Sequence, residues 1–395
     1  MDAKARAEQH FTAVEGELRD LSRWMYDHPE IAFEERETSR RLTGFLAGHG
    51  FTVEYPAYGM ETAFAARVGR RGPEVIICAE EDALPGVGHA CGHNLIATSG
   101  LLAAAGLAKV MKETPGRVFV IGTPDEERGS MGGGKVAILE GGYFEGSDVV
   151  FITHGSDRWS LDQRLLAMKR ANFTFKGKSA HAAAAPHKGI NALRGVLLTF
   201  NCVDQLREHL RQDVRIHGIV AKGGGPVNIV PELAQAEFAC RALDTATMEN
   251  AYARIVNCAK AGELGTGTTL EFKEPRVALK ATVAVPALLE VIQANVKGLG
   301  VAANQFKDFD ELASSDLGMV SYSYPTVNLW FKIAPEGTAL HTDALREAAN
   351  TDEGWKATVI AGKAVALSAY EMLTKPEKLK AVQDGFKEAK AKEGK

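Results

Sequence analysis

EVIICAEE at residues 74–81 is followed by LIATSGLLAAAGLAKVMKE at 95–113 and RVFVIGTP at 117–124. The first and third stretches are short, nearly continuous apolar runs, the pattern of strands buried on both faces of a parallel or mixed sheet. The stretch between them is long enough for a helix and is rich in small residues. This strand–helix–strand order predicts an α/β layer. Working outward, residues 4–29 and 35–49 read as amphipathic helices and 64–69 as a further strand. A helix is expected at 133–140, and DVVFITH at 148–154 reads as another buried strand, ending in a histidine.

From about residue 168 the pattern changes. Strand KRANFTFKG (169–177), a helix at 190–212 and strands RIHGIVAKG (215–223) and LAQAEFACRAL (233–243) come first. A helix at 245–264 and strand TTLEFKEPR (268–276) complete a β–α–β–β–α–β order, the ferredoxin-like pattern. Helix 285–299, strand 326–334 and helix 352–374 then resume the first pattern. The expected architecture is an α/β domain made of 1–167 and 286–395, interrupted by an inserted α+β domain at 168–285. The charged tail KEAKAKEGK is expected to fray.

Bulk properties narrow the function class. A chain of 395 residues exceeds one simple core and suits two domains. Hydrophobic and charged contents of 45% and 24% exclude global disorder. A net charge of −4 offers no basic field for nucleic acid or anionic lipid. MDAKARAEQHF has no apolar core of a signal segment, and no run reaches the ~18 apolar residues of a membrane helix. The expectation is a soluble cytoplasmic protein with a small-molecule substrate, no nucleic acid and no membrane. The five cysteines are odd in number and widely spaced, so no disulfide framework is expected. Cys78, Cys202, Cys240 and Cys258 read as buried small hydrophobes. Cys91 alone has histidine neighbours, in GVGHACGHNL at 86–95.

In α/β sheets, functional side chains gather at the carboxyl ends of strands. Four sets of residues fall there: Asp82 after the first run, His89, Cys91 and His93 in the next loop, Glu126 and Glu127 after 117–124, and His154. They converge if those strands are neighbours. Histidine, thiolate and carboxylate suit zinc-like ions, and paired cations about 3.5–4 Å apart activate water for hydrolysis. Adjacent glutamates divide the labour only if they point different ways, which requires a bent loop; GSMGGGK, residues 129–135, is compatible with one. The ordinary alternatives stay open: a turn containing imidazoles, a solvated Glu-Glu pair, a structural histidine at a strand end. His89 reads as a supporting residue or turn former.

The stretches EEDALPGVGHACGHN, PDEERGSMGGGK and DVVFITHGS resemble the aminoacylase-like metallopeptidase family, in its amidohydrolase branch and related dipeptidases. The likeness continues through GKSAHAAAAPHKGINAL, GGGPVNIVPELAQAEFACRALD, ASSDLGMVSYSYPTVNLWF and PEGTALHTDALREAANTDEG. It implies a zinc-peptidase-like α/β catalytic domain with an inserted ferredoxin-like lid that mediates a homodimer. It implies two divalent metal ions (Zn, Co or Mn), with Cys91, His93, Glu127, His154 and the distant His341 as ligands. It makes Glu126 the general base, His181 an oxyanion-stabilising residue, and Asn228 and Arg241 substrate contacts. Against the last two stand a capping role for Asn228 at the Pro231 turn and an Arg241–Asp244 pair. Three positions depart from the family pattern: Asn94 for an aspartate that would face an imidazole, Glu81 before Asp82, and Met319 for an asparagine.

The implied activity is hydrolysis of an amide bond in a small N-acyl amino acid, dipeptide or aryl amide. The competing readings are an aminohydrolase releasing ammonia from an aromatic amine and a non-catalytic binding protein of the same fold. A nucleobase deaminase is disfavoured, because no Pro-Cys-x-x-Cys accompanies a His-x-Glu.

Overall fold

The computed structural model describes residues 3–128 and 132–393. The chain divides into two compact units, Met1–Arg164 with Thr282–Lys392, and Leu165–Ala281. The first begins with helices α1 (Ala3–Asp27) and α2 (Arg36–Gly48). Strands β1 (Thr52–Glu54), β2 (Phe64–Gly69) and β3 (Glu74–Glu80) precede helix α3 (His93–Ala108). Then come β4 (Arg117–Thr123), α4 (Gly134–Glu140) and β5 (Val149–Ser156).

The inserted unit follows, with β6 (Ala167–Lys176), α5 (Ala192–Leu206), β7 (Arg215–Lys222), β8 (Leu233–Ala242), α6 (Thr245–Thr266) and β9 (Thr269–Phe272). Its sheet order is β7-β8-β6-β9, antiparallel throughout. Phe173, Phe175 and Phe238 project from the sheet into a core shared with Val196 of α5 and Ile255 of α6. Side-chain caps start both helices: Asn191 for α5, and Asp244, which accepts from Thr247 N at 2.7 Å, for α6. Helix α5 is shorter than expected, passing at Arg207 into a single 3₁₀ turn.

The first unit resumes with α7 (Pro286–Gly298), α8 (Leu317–Ser323), β10 (Thr326–Lys332), α9 (Asp343–Ala348), α10 (Asp352–Thr374) and α11 (Pro376–Glu393). Its mixed sheet runs β1-β2-β4-β3-β5-β10, and β4, β3, β5 and β10 are parallel. The fold is therefore α/β with an inserted α+β unit. All of β3 is buried, and α3 is buried from His93 to Leu107, because the sheet covers one side while α1 and α10 cover others. The charged tail, expected to fray, continues the last helix. Helix α11 starts at Pro376 and runs on through the tail to Glu393; its packed residues Leu379, Val382 and Phe386 lie before the tail, and Lys387, Glu388, Lys390, Ala391 and Lys392 are exposed. Residues 394–395 of that tail lie outside the described residues. The cysteines are unbonded; Cys78 and Cys240 are buried, whereas Cys202 and Cys258 are only partly so.

For the site, the decisive feature is that β3 lies between β4 and β5, parallel to both. The three carboxyl ends therefore meet along one sheet edge. Among the described residues no helix is long and apolar enough to cross a membrane.

Candidate metal centre

Strand β3 ends in Glu80, which is fully buried. The chain then turns through Asp82 and reaches Gly92, whose left-handed φ of 81° lets α3 begin directly at His93. Asp82 orients that imidazole. Its backbone carbonyl accepts from His93 Nδ1 at 2.6 Å, while its Oδ2 accepts from Glu127 N at 3.0 Å. With Nδ1 acting as donor, the neutral ring presents its lone pair at Nε2, and this buried atom has no hydrogen-bond partner.

Around Nε2 the acceptors accumulate. Glu80 Oε2 lies 3.4 Å away and Glu127 Oε1 3.7 Å away. Cys91, His93 and Glu127 form one set of ligand atoms within 4.8 Å of one another; Glu80, His93 and His154 form another. His154 lies inside β5, which runs two residues further than expected. Its Nδ1 donates to Asn328 Oδ1 of β10 at 3.0 Å, and its Nε2 meets Glu80 Oε2 at 3.0 Å. His341 arrives from the loop before α9; its backbone N bonds Ala90 O at 3.0 Å and its Nε2 lies 3.3 Å from Glu127 Oε2. That histidine holds a positive φ of 62°, uncommon for a non-glycine residue. The structure thus brings Cys91, His93, Glu127, His154 and His341 together.

Glu126 and Glu127 do point different ways. Asp125 before them has a φ of 60°, which supplies the bend. Glu127 faces the histidines, whereas Glu126 Oε1 accepts from Ser315 Oγ at 2.8 Å and neighbours Glu80 and Asp316. Of the glycine-rich sequel, residues 129–131 lie outside the described residues. Gly133 has a φ of +95°, and a Cβ there would fall 2.4 Å from Asp316 Oδ2. Its bare backbone lets Asp316 reach the start of α4, where Lys135 is fully buried. Lys135 Nζ contacts Asp316 Oδ1 at 2.5 Å and Glu80 Oε1 at 2.7 Å. The third potential ligand set, Glu80, Glu126 and Asp316, is thus already served by an ammonium.

These contacts set the electrostatics. Burial alone would raise the Glu80 carboxyl, but Lys135 and then His154 outweigh it and hold it well below the usual range. Burial pushes Glu127 up to about 8, with Glu126, Asp82 and Glu80 adding repulsion against the pull of His93. Burial lowers His341, favouring the neutral imidazole that a metal requires.

Several expectations change. Asn94 does not face an imidazole: its amide donates to Ser22 Oγ and Ala349 O, both at 3.0 Å, pinning α3 to its neighbours. Glu81 points away from the histidines and accepts from Ser39 Oγ of α2 at 2.9 Å. His89 shapes the turn through its carbonyl, which accepts from Gly92 N at 3.1 Å, and burial lowers its imidazole to about 3. Met319 is half-buried in α8. Glu80, Lys135, Ser315, Asp316 and Asn328 were not among the expected residues. Glu80 closes an apolar strand, the same signal that singled out Asp82. Lys135 and Asp316 carry no local signal, since they are 181 positions apart.

In the inserted unit, His181 bridges Ile229, and Ala182 N bonds Asn228 O at 2.9 Å, so His181 and Asn228 are neighbours. Backbone N–H groups of Ala183 and Ala184 donate to His181 Nδ1 at 3.3 and 3.1 Å. The neutral ring therefore carries its proton on Nε2, an exposed donor. Arg241 lies on β8 opposite Met168 and Arg215. Asp244 pairs with Arg211 rather than with Arg241.

Comparison with known proteins accords with this arrangement. The family described as the peptidase dimerisation domain matches residues 167–265. The Xaa-Arg dipeptidase of Mus musculus is 32% identical over 97% of this chain and 92% of its own length. A p-aminobenzoyl-glutamate hydrolase chain of Escherichia coli is 32% identical over 64% of this chain and 56% of its own. A Bacillus subtilis structure described as a dinuclear metal binding peptidase of the M20 family shares the fold, with a TM-score of 0.72 at 22% identity, covering 92% of this chain and 99% of that one. Sequence likeness along nearly its whole length, on top of the shared fold, makes this chain a member of the M20 peptidase family of metal-dependent amide-bond hydrolases.

Proposed function

We propose that the protein hydrolyses the amide bond of a small dipeptide or N-acyl amino acid with two divalent cations, Glu126 serving as the base. The observation that carries this is the cluster of buried acceptors around His93 Nε2, where Glu127 Oε1 also has no hydrogen-bond partner. Burying acceptors against one another without a donor costs several kcal/mol unless a proton or a cation joins them. The residues therefore fit a metal, and Cys91, His93, Glu127, His154 and His341 would hold it. Mixed thiolate, imidazole and carboxylate donors suit zinc, cobalt or manganese. When bound, such ions polarise a carbonyl and make water acidic at neutral pH.

The chain's own residues supply the rest. Glu126, turned away from the histidines and steadied by Ser315, takes the proton of the attacking water and passes it to the leaving nitrogen. His181, with its proton on Nε2, donates to the oxyanion, and Asn228 and Arg241 contact the substrate. The inserted unit mediates a homodimer. Its edge strand β7 exposes Ile219 and Val220 at 61% and 44%, and light scattering should give twice the chain mass.

The test is a metal-reconstituted screen of N-acyl amino acids, β-alanyl dipeptides, dipeptides ending in arginine and p-aminobenzoyl-glutamate, with ammonia measured in parallel. The relatives' names put the last two in the panel. Glu126→Gln should abolish turnover and leave metal content intact; retained turnover would sink the mechanism. Ammonia release without amide cleavage would favour the aminohydrolase reading, and fewer than one ion per chain the non-catalytic one.

A further inference from the structure

Five expected ligands do not serve two ions equally. The Cys91 end has Cys91, His93 and Glu127, with His341 against Glu127. The other end has only His154 and a share of His93, whose Nε2 has a single lone pair to give. A third donor stands there. Glu80 Oε2 lies 3.0 Å from His154 Nε2 and 3.4 Å from His93 Nε2.

Both imidazoles use Nδ1 as the donor, to Asp82 O and Asn328 Oδ1, so in the neutral rings both Nε2 lone pairs turn toward a carboxylate oxygen. Three buried atoms this close need positive charge among them, either as protons on the two Nε2 atoms or as a cation that takes their place. Donors about 2.0–2.1 Å from a tetrahedral ion stand roughly 3.3 Å from one another, close to the spacing seen.

Resting on the dimetal reading above, we propose that Glu80 is a ligand of the ion held by His154, its other oxygen clamped by Lys135. The clamp explains the buried lysine. Lys135 Nζ bridges Glu80 Oε1 and Asp316 Oδ1, and the backbone N of Lys135 bonds Asp316 Oδ2 at 3.2 Å. One oxygen is held by the ammonium, and the other is left to the metal. A carboxylate whose ligand oxygen is aimed by contacts to its second oxygen has little rotamer freedom left to lose on binding.

The experiment reconstitutes the full-length chain with Co²⁺. It counts ions by plasma mass spectrometry and follows the near-ultraviolet thiolate-to-cobalt band, which reports the Cys91 end alone. Wild type should hold two ions. Glu80→Gln should weaken one ion at least 100-fold, leaving about one per chain with the thiolate band unchanged. Because that variant strands Lys135 beside Asp316, the charge-balanced pair Glu80→Gln with Lys135→Met is measured alongside and should lose the same ion. Two ions in either folded variant, with affinities within threefold of wild type, would overturn the assignment of Glu80. A wild type that binds fewer than two ions would overturn the dimetal reading instead.

Discussion

Glu35 offers the sharpest quantitative check, because it is a fully buried carboxyl that is not among the expected ligands. It stands at the N-cap of α2, and its Oε1 accepts from Asp125 N at 3.2 Å. Burial, with the charge of Asp82 adding, raises its carboxyl from 4.5 to about 7. Glu81, itself raised by burial and by Glu35, is the other acid against it. The sign follows from linkage. A group whose folded pKa exceeds its unfolded value costs nothing below the unfolded value and costs progressively more up to the folded one. Between pH 5 and pH 8 this shift should remove about 2–3 kcal/mol of stability from the wild type. Glu35→Gln keeps an oxygen for the Asp125 amide and removes the titration. The variant should therefore gain about 2–3 kcal/mol on wild type over that pH interval, a urea midpoint change on the order of 1 M. Tryptophan emission reads the right unit, since Trp24, Trp159, Trp330 and Trp355 all lie in the first one. A stability difference constant to within about 0.5 kcal/mol across the interval would refute the assignment of Glu35 as a neutral buried acid.

Three further outcomes can be measured directly. Gly133→Ala forces a Cβ against Asp316 at a positive φ, so it should cost about 1–3 kcal/mol in the same urea assay. Stripping metal with a chelator should lower the unfolding temperature of the first unit, and added Co²⁺ at a hundredfold over Kd should restore about 2.7 kcal/mol. His181→Ala should reduce kcat by roughly 100- to 1,000-fold, with cobalt content and the thiolate band unchanged.

The first unit's sheet was readable because buried parallel strands announce themselves as apolar runs. Their adjacency then put Glu126, Glu127 and His154 at one edge. His341 was not readable that way. A histidine in an exposed loop has no pattern of its own, and only family resemblance reached it. Lys135 and Asp316 escaped for a related reason: a lone charge in a sequence says nothing of burial, and here Lys135 is buried between Asp316 and Glu80. Asn94 shows the opposite error. Its place beside His93 suggested a partner for an imidazole, but consecutive helical residues point about 100° apart, and its amide tethers α3 instead. The tail's charge said only that it would be exposed. The helix that carries it is anchored upstream, by Leu379, Val382 and Phe386, and its charged end simply continues that helix into solvent.

What sets the metal centre apart from the rest of the first unit is the concentration of unfavourable choices. His93 Nε2 and Glu127 Oε1 are buried without hydrogen-bond partners, Asp125 and His341 hold positive φ, and an ammonium is sealed among carboxylates. Replacing a whole buried ion group by apolar side chains of similar volume can be neutral or stabilising, whereas removing one member strands the charges left behind. These choices are tolerated because β3, α3 and β5 are buried on nearly every side and hold the edge rigid. Local consistency thus fails here, at the residues that face one another across three strand ends, while the surrounding elements keep to their patterns. A cation that satisfied these acceptors would relieve the strain and the desolvation together, so metal affinity and folding stability should change in step across substitutions at this edge.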